Sequence, residues 1–92
     1  MKFEVIYTGQ FKKDVKLLKK QGKNFDKLFN VIEKLANGEA LDPKNRDHSL
    51  SGNFSNYREC HVEPDWLLIY QKNESALVLL LVQTGSHSDL FN

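Results

Sequence analysis

The chain has 92 residues, of which 40% are hydrophobic and 27% are charged, and its formal net charge is +1. This length and composition predict one globular domain over residues 1–92 and exclude a disordered or low-complexity chain. The single cysteine, Cys60, excludes an internal disulfide, and the longest apolar run, residues 76–82, is too short to span a bilayer. The N-terminal residues also lack the apolar core of a secretory signal, so we expect a cytoplasmic protein without a membrane partner.

The charge is divided unevenly along the chain. Residues 1–46 carry eleven basic and six acidic side chains, net +5, whereas residues 47–92 carry two basic and six acidic ones, net −4. A basic half favours a surface that meets phosphates or an acidic partner. A lysine-coated, solvated helix would give the same count, so charge alone leaves both interpretations open.

The first half of the sequence predicts a strand followed by two helices. Apolar and polar residues alternate over residues 3–7, as in a strand. Apolar residues then recur at helical spacing over residues 10–21 and again over residues 25–36, with lysines filling most of the remaining positions of the first helix. Gly22 supplies a C-terminal stop and Asn24 an N-cap. With so short a connection, the two helices are expected to form an antiparallel hairpin.

The second half predicts a loop and three strands. Residues 39–56 are interrupted by Pro, Asn, Ser and Gly and read as a loop. Strands are predicted over residues 57–63, 66–71 and 76–83, and one helical turn within residues 84–92. The order β-α-α-β-β-β predicts an α+β fold in which the helical hairpin covers one face of a four-stranded, mainly antiparallel sheet.

Polar side chains collect on one face of the first strand in this second half. Strict alternation places Tyr57, Glu59, His61 and Glu63 on that face. A tyrosine, a histidine and two carboxylates in one row are unusual for a central strand unless the face binds something. The intervening residues then point toward the helices, and Arg58 among them is assigned no catalytic role.

Histidine is the side chain best matched to proton transfer near neutral pH, and this chain has three, His48, His61 and His87. Two histidines on opposite sides of a phosphodiester can take the 2′-OH proton and protonate the leaving 5′ oxygen without a metal. A zinc site is not favoured, because no two histidines have a ligand-type spacing and alternation directs Cys60 away from His61. Each histidine could equally be a surface or capping residue, so a ribonuclease stays one open interpretation.

Three segments resemble a known family of bacterial toxins. The stretch YRECHVEPDWLLIY at residues 57–70 resembles the core of YafQ-type toxins of the RelE superfamily, and TGSHSDLF at residues 84–91 resembles their C-terminal signature. Residues 47–52 are similar to the block that precedes the core. The resemblance covers the whole chain and implies a microbial-RNase-like fold. It also implies a type II toxin that cleaves translated mRNA on the ribosome without a metal or cofactor.

The resemblance implies roles for individual residues. His48 falls on the position of the general base and His87 on that of the general acid, and the two roles could be exchanged. His61 and Asp65 would orient the scissile phosphate and the ribose, and Glu59 would support His61.

The resemblance also implies contacts with RNA. Phe91 would stack on an unpaired base, and lysines of the first helix, Lys12, Lys13 and Lys16, would bind the ribosomal RNA backbone in a salt-sensitive manner. One position departs from the family pattern, because many relatives carry an arginine where this chain has Gln83. Either a lysine reaches into the site in place of the arginine, or the histidines suffice for the reaction without it, or activity is weakened.

The implied partners are the ribosome, mRNA and a cognate antitoxin of DinJ or RelB type, since a free toxin would arrest its own host. A toxin–antitoxin heterotetramer is one assembly that the resemblance suggests. The superfamily also contains ParE-type toxins, which act on DNA gyrase. The alternative function is therefore a gyrase-directed binding toxin, or an inactive relic that binds only the antitoxin.

Overall fold

A computed structural model describes residues 2–54 and 56–91. Within them, the strands are β1 (Glu4–Tyr7), β2 (His48–Ser49), β3 (Arg58–Glu63), β4 (Trp66–Asn73) and β5 (Val78–Gly85), and the α-helices are α1 (Gly9–Lys20), α2 (Phe25–Ala36) and α3 (His87–Phe91). The sheet order is β1-β5-β4-β3-β2; β1 pairs parallel with β5 and all other pairs are antiparallel. The predicted α+β class is confirmed. No helix in these residues is long and apolar enough to cross a membrane.

The sheet has five strands, whereas the sequence predicted four. The additional strand is β2, which pairs antiparallel with β3 and places His48 opposite Glu59. Short 3₁₀ turns at Pro43–Asn45 and Gly52–Phe54 flank it. A two-residue strand shows no alternation, which is why this segment was predicted as a loop. His48 therefore belongs to the sheet.

Polar caps begin the two long helices. The Thr8 and Asn24 side chains accept hydrogen bonds from backbone N–H groups in the first turns of α1 and α2. Between the helices, Gly22 has φ of 75°, a conformation that glycine adopts at little cost after a helix end. The bounds of α2 match the prediction, and α1 begins one residue earlier, at Gly9.

The core lies between the sheet and the two long helices. Its buried members include Phe11, Leu18, Leu28, Leu35, Cys60, Trp66, Leu68, Tyr70, Leu79 and Leu81. The indole Nε1 of Trp66 donates to Thr84 Oγ1 at 2.9 Å, so the polar atom of this buried ring is satisfied. Since Cys60 faces the helices, its neighbours Glu59 and His61 point to the opposite face of the sheet.

Candidate active site

The register of the sheet brings three of the predicted site residues together. Glu59 lies opposite His48 on β2 and opposite Ile69 on β4, and His61 lies opposite Leu67. His48 and Glu59 are therefore cross-strand neighbours, and His61 is the next residue of β3 on the same face. The site forms where β3 meets the short edge strand β2.

Glu59 lies between two imidazoles. Its Oε1 is 3.3 Å from His48 Nε2 and 3.6 Å from His61 Nε2. Glu59 is only 7% exposed, whereas His48 is exposed. A carboxylate so withdrawn from water needs positively charged or hydrogen-bonding partners, and the two histidines supply them. The predicted pairing of Glu59 with His61 is present in this geometry, and His48 joins it.

Each imidazole has an acceptor near both of its nitrogens. His61 Nδ1 lies 3.2 Å from the carbonyl oxygen of Pro64, and His48 Nδ1 lies 3.3 Å from that of Ser49. A neutral imidazole donates from one nitrogen only, whereas an imidazolium donates from both. Whichever nitrogen of a ring carries the proton, an acceptor therefore lies near it.

The same three residues have the chemistry of a metal-binding set. His48, Glu59 and His61 each offer one ligand atom, and these atoms lie within 4.8 Å of one another. Two imidazole nitrogens and a carboxylate oxygen are ligands that zinc and copper accept. The sequence did not favour a metal site because the pairing of β2 with β3, which creates this group, is not visible in residue spacing.

Three further predicted site residues lie on α3 or contact it. Asp65 Oδ1 accepts a hydrogen bond of 3.2 Å from the backbone N–H of His87, the first residue of the helix. The rings of His87 and Phe91 lie 5.1 Å apart between centroids, and both residues are exposed. A ligand on this face can therefore reach an imidazole and an aromatic ring side by side.

A row of residues paired across the strands connects the candidate residues on β2 and β3 with those at α3. Leu67 pairs with His61 on one side and with Gly85 on the other. Strands are spaced about 4.8 Å apart, so Gly85 lies roughly 10 Å from His61, and α3 begins two residues further on. A neighbouring row ends at Gln83, which shares the face of Glu59. Gln83, which stands where many relatives carry an arginine, therefore lies on the same face of the sheet as the candidate active site.

Glu63 lies on the face opposite to the predicted one. A bulge between His61 and Glu63 shifts the register, so that Glu63 pairs with Trp66 and points toward the helices. Its carboxylate contacts Lys27 Nζ at 2.8 Å and Lys23 Nζ at 3.8 Å, and the hydrogen bond from Lys27 lowers the pKa of Glu63. The prediction was wrong because a bulge adds one residue and breaks the alternation.

A hydrogen-bonded cluster on the helix side of the sheet holds the residue that precedes His48. Asp47 Oδ1 accepts from the Tyr70 hydroxyl and, at 3.3 Å, from Arg58 Nε. Tyr70 is fully buried, and this burial raises the pKa of its hydroxyl, which therefore stays protonated and able to donate. Sequence reasoning assigned no role to Asp47. The available signal was Arg58, a cation predicted to face the core, which needed a partner there.

The lysines predicted to bind RNA do not lie at this site. Lys12, Lys13 and Lys16 are exposed on α1. This helix packs against the face of the sheet opposite to Glu59 and His61. The structure therefore does not bring these lysines together with the catalytic candidates.

Comparison with known proteins identifies the family. The family model described as "Bacterial toxin of type II toxin-antitoxin system, YafQ" matches residues 3–92. The mRNA interferase toxin YafQ of Escherichia coli K12 is 40% identical over 89 residues, which cover 96% of this chain and 95% of that protein. The crystal structure of the E. coli DinJ–YafQ toxin–antitoxin complex superposes with a TM-score of 0.90 at 39% identity and covers 100% of both chains. A metal-bound toxin from Helicobacter pylori superposes with a TM-score of 0.91 at 42% identity, over 97% of this chain and 99% of that one. The chain belongs to the YafQ family of bacterial toxins of type II toxin–antitoxin systems.

Proposed function

We propose that this chain is an endoribonuclease that cleaves translated mRNA on the ribosome. The observation that supports the proposal most directly is the buried Glu59 between His48 and His61, on the face that the long helices leave open. The name of the E. coli relative, an mRNA interferase, supports RNA as the substrate. Since its substrate is mRNA on ribosomes, the site of action is the cytoplasm.

The proposed reaction is an internal displacement at phosphorus. The 2′ oxygen attacks the adjacent phosphorus while a base takes its proton, and the bond from phosphorus to the 5′ oxygen breaks. An acid protonates that oxygen, which leaves a 2′,3′-cyclic phosphate and a 5′-OH. His48 acts as the base and His87 as the acid, or the reverse. His48 lies on edge strand β2 and His87 just after β5, and the proposal requires the scissile phosphate to lie between them.

The remaining site residues position the substrate and the two histidines. His61, held beside Glu59, orients the scissile phosphate. Glu59 holds His61 and His48 in place. Asp65 orients the ribose and, through the backbone N–H of His87, the start of α3. Phe91 stacks on a base beside the His87 ring.

The proposed mechanism uses no metal ion. A metal bound by His48, Glu59 and His61 would occupy nitrogens that the mechanism needs for protons and for the phosphate. A chelator selective for zinc and copper over magnesium should therefore leave cleavage on ribosomes unchanged. Loss of cleavage on such treatment would contradict metal independence.

The proposed partner besides the ribosome is a cognate antitoxin of DinJ type, by analogy with the DinJ–YafQ complex of E. coli. The second candidate function, a gyrase-directed toxin or an antitoxin-binding relic, is favoured by one observation, the neutral Gln83 on the site face. A pure binder would not need a buried Glu59 between His48 and His61, so the nuclease is the better supported function.

The test compares induced expression of the wild type and of His87→Ala, with primer-extension mapping of a reporter mRNA. We expect codon-phased cuts with the wild type and none with the variant. Ser88→Ala, an exposed neighbour on α3, is the matched control and should cut like the wild type. Growth arrest without cuts would support a binding toxin instead of the nuclease. Absence of growth arrest would support an inactive relic that binds only the antitoxin. Full toxicity of His87→Ala would remove His87 from the mechanism.

A further inference from the structure

The structure carries a basic groove beside the catalytic candidates, between α2 and the 3₁₀ turn Pro43–Asn45. We propose that this groove binds the RNA backbone next to the scissile phosphate, an inference that rests on the proposed function. The groove encloses about 560 Å³, a volume within the range of natural ligand sites. Residues that line it include Lys27, Lys34, Lys44, Arg46, His61 and Glu63.

The charges in the groove favour an anion. Four basic side chains line it, against the carboxylates of Asp42 and Glu63. Both carboxylates are engaged, because Glu63 pairs with Lys27 at 2.8 Å and Asp42 accepts the backbone N–H of Lys44 at 3.0 Å. Among the described residues, no carboxylate lies within ion-pair distance of the side chains of Lys34, Lys44 and Arg46. Three cations are thus available to phosphates.

The backbone of the groove is fixed directly to the catalytic strand. Asn45 is 7% exposed, and its Nδ2 donates to the carbonyl oxygen of His61 at 2.7 Å. Arg46 follows in the left-handed region, with φ of 47° and ψ of 49°, which is unfavourable for a residue with a side chain. The neighbouring Asp47 accepts a hydrogen bond from the Tyr70 hydroxyl on the helix side of the sheet. The structure therefore holds Arg46 in the lining of the groove, two residues before His48.

RNA fits this groove better than an acidic peptide does. A strand with its scissile phosphate between His48 and His87 must continue past the site, and His61 of the site also lines the groove. An arginine binds a phosphate through two parallel N–H groups, which suits it to a backbone of repeated phosphates. The lysines of α1 do not line this groove.

The experiment measures binding apart from cleavage. A fluorescent single-stranded RNA with 2′-O-methyl groups cannot be cut by internal attack, and its affinity is measured by anisotropy over a range of salt. The double variant Lys34→Gln/Arg46→Gln should bind at least about tenfold more weakly at low salt. The slope of log affinity against log salt should fall by about 1.4, because each single-strand phosphate contact contributes about 0.7. The matched control Lys19→Gln/Lys20→Gln, on the exposed last turn of α1, removes the same charge and should change little.

Equal losses of RNA affinity in the two double variants would show that the effect comes from net charge alone and would overturn the groove proposal. Unchanged RNA binding with weakened capture of the antitoxin would assign the groove to the antitoxin and overturn it as well. If only the groove variant loses RNA binding and the wild type makes no cuts on ribosomes, the groove proposal is supported and the nuclease proposal is wrong. If the wild type cleaves mRNA on ribosomes but the groove variant binds RNA as well as the wild type does, the nuclease proposal stands and the groove proposal is wrong.

Discussion

The two sides of the candidate active site are built differently. Glu59 and His61 lie on β3, inside the sheet, and little of either side chain is exposed. His87 and Phe91 are exposed on α3, a helix of five residues. A helix of that length is not stable alone, so it depends on tertiary contacts such as the hydrogen bond from His87 N–H to Asp65. One side is fixed by the fold, and the other is fixed by a few polar contacts.

This difference separates two contributions to catalysis. Groups on β3 are oriented before RNA arrives, which is how a site stabilises developing charge without reorganisation. Groups on α3 can adjust to the bound strand, since marginal elements open and close locally. We therefore expect changes on β3 to lower kcat with little effect on KM. Changes at the start of α3 should alter KM as well.

The largest expected effect comes from Glu59→Gln. The amide keeps the size of the side chain and removes the charge shared by His48 and His61, so kcat should fall about 100-fold or more, with KM nearly constant. The measurement is the initial rate of mRNA cleavage on programmed ribosomes. Glu74→Gln, the same change in an exposed turn, is the control. A nearly normal kcat in a folded Glu59→Gln protein would show that the carboxylate serves the fold alone.

Much of the fixed side could be predicted from the sequence. Alternation around Cys60 is local, and it correctly placed Glu59 and His61 on the face away from the helices. The meeting of His48 with Glu59 could not be predicted in this way, because it depends on long-range pairing of a two-residue strand. Periodicity needs several residues to be visible, and β2 has only two.

The errors have the same physical origin. Alternation assumes one residue per strand position, and the bulge between His61 and Glu63 violates that assumption. The basic groove escaped notice because its cations come from α2 and from the 3₁₀ turn, which are adjacent only in the fold. Residue types and motifs thus indicated the chemistry, whereas tertiary pairing decided which of these residues meet.

An intermediate effect is expected at Asp65, which tests the adjustable side. Asp65→Ala removes the acceptor for the His87 N–H, and loss of such a cap costs about 1 kcal/mol. We expect a several-fold rise in KM with a smaller fall in kcat. Asp65→Asn keeps an acceptor oxygen and should lie closer to the wild type if capping is the main role. Equal and large losses of kcat in both variants would instead assign the charge of Asp65 to the reaction itself and would break the contrast between the two sides.

The smallest effect on activity is expected from Tyr70→Phe, which acts on the far side of the sheet. The hydroxyl donates to Asp47 next to His48, so its removal should cost about 1 kcal/mol of unfolding free energy and lower kcat a few-fold. Burial raises the pKa of Tyr70 above its ordinary 10.0, so the wild type holds this stabilisation below pH 10 and loses it as the pH rises through the folded pKa. Denaturant unfolding should therefore show the gap between wild type and variant narrowing only in strongly alkaline solution. Tyr57→Phe removes a hydroxyl from a partly buried tyrosine outside this cluster and serves as the control. A gap that stays constant through that range would show that folding does not raise the pKa of Tyr70, and the absence of any gap near neutral pH would show that its hydroxyl contributes nothing through Asp47.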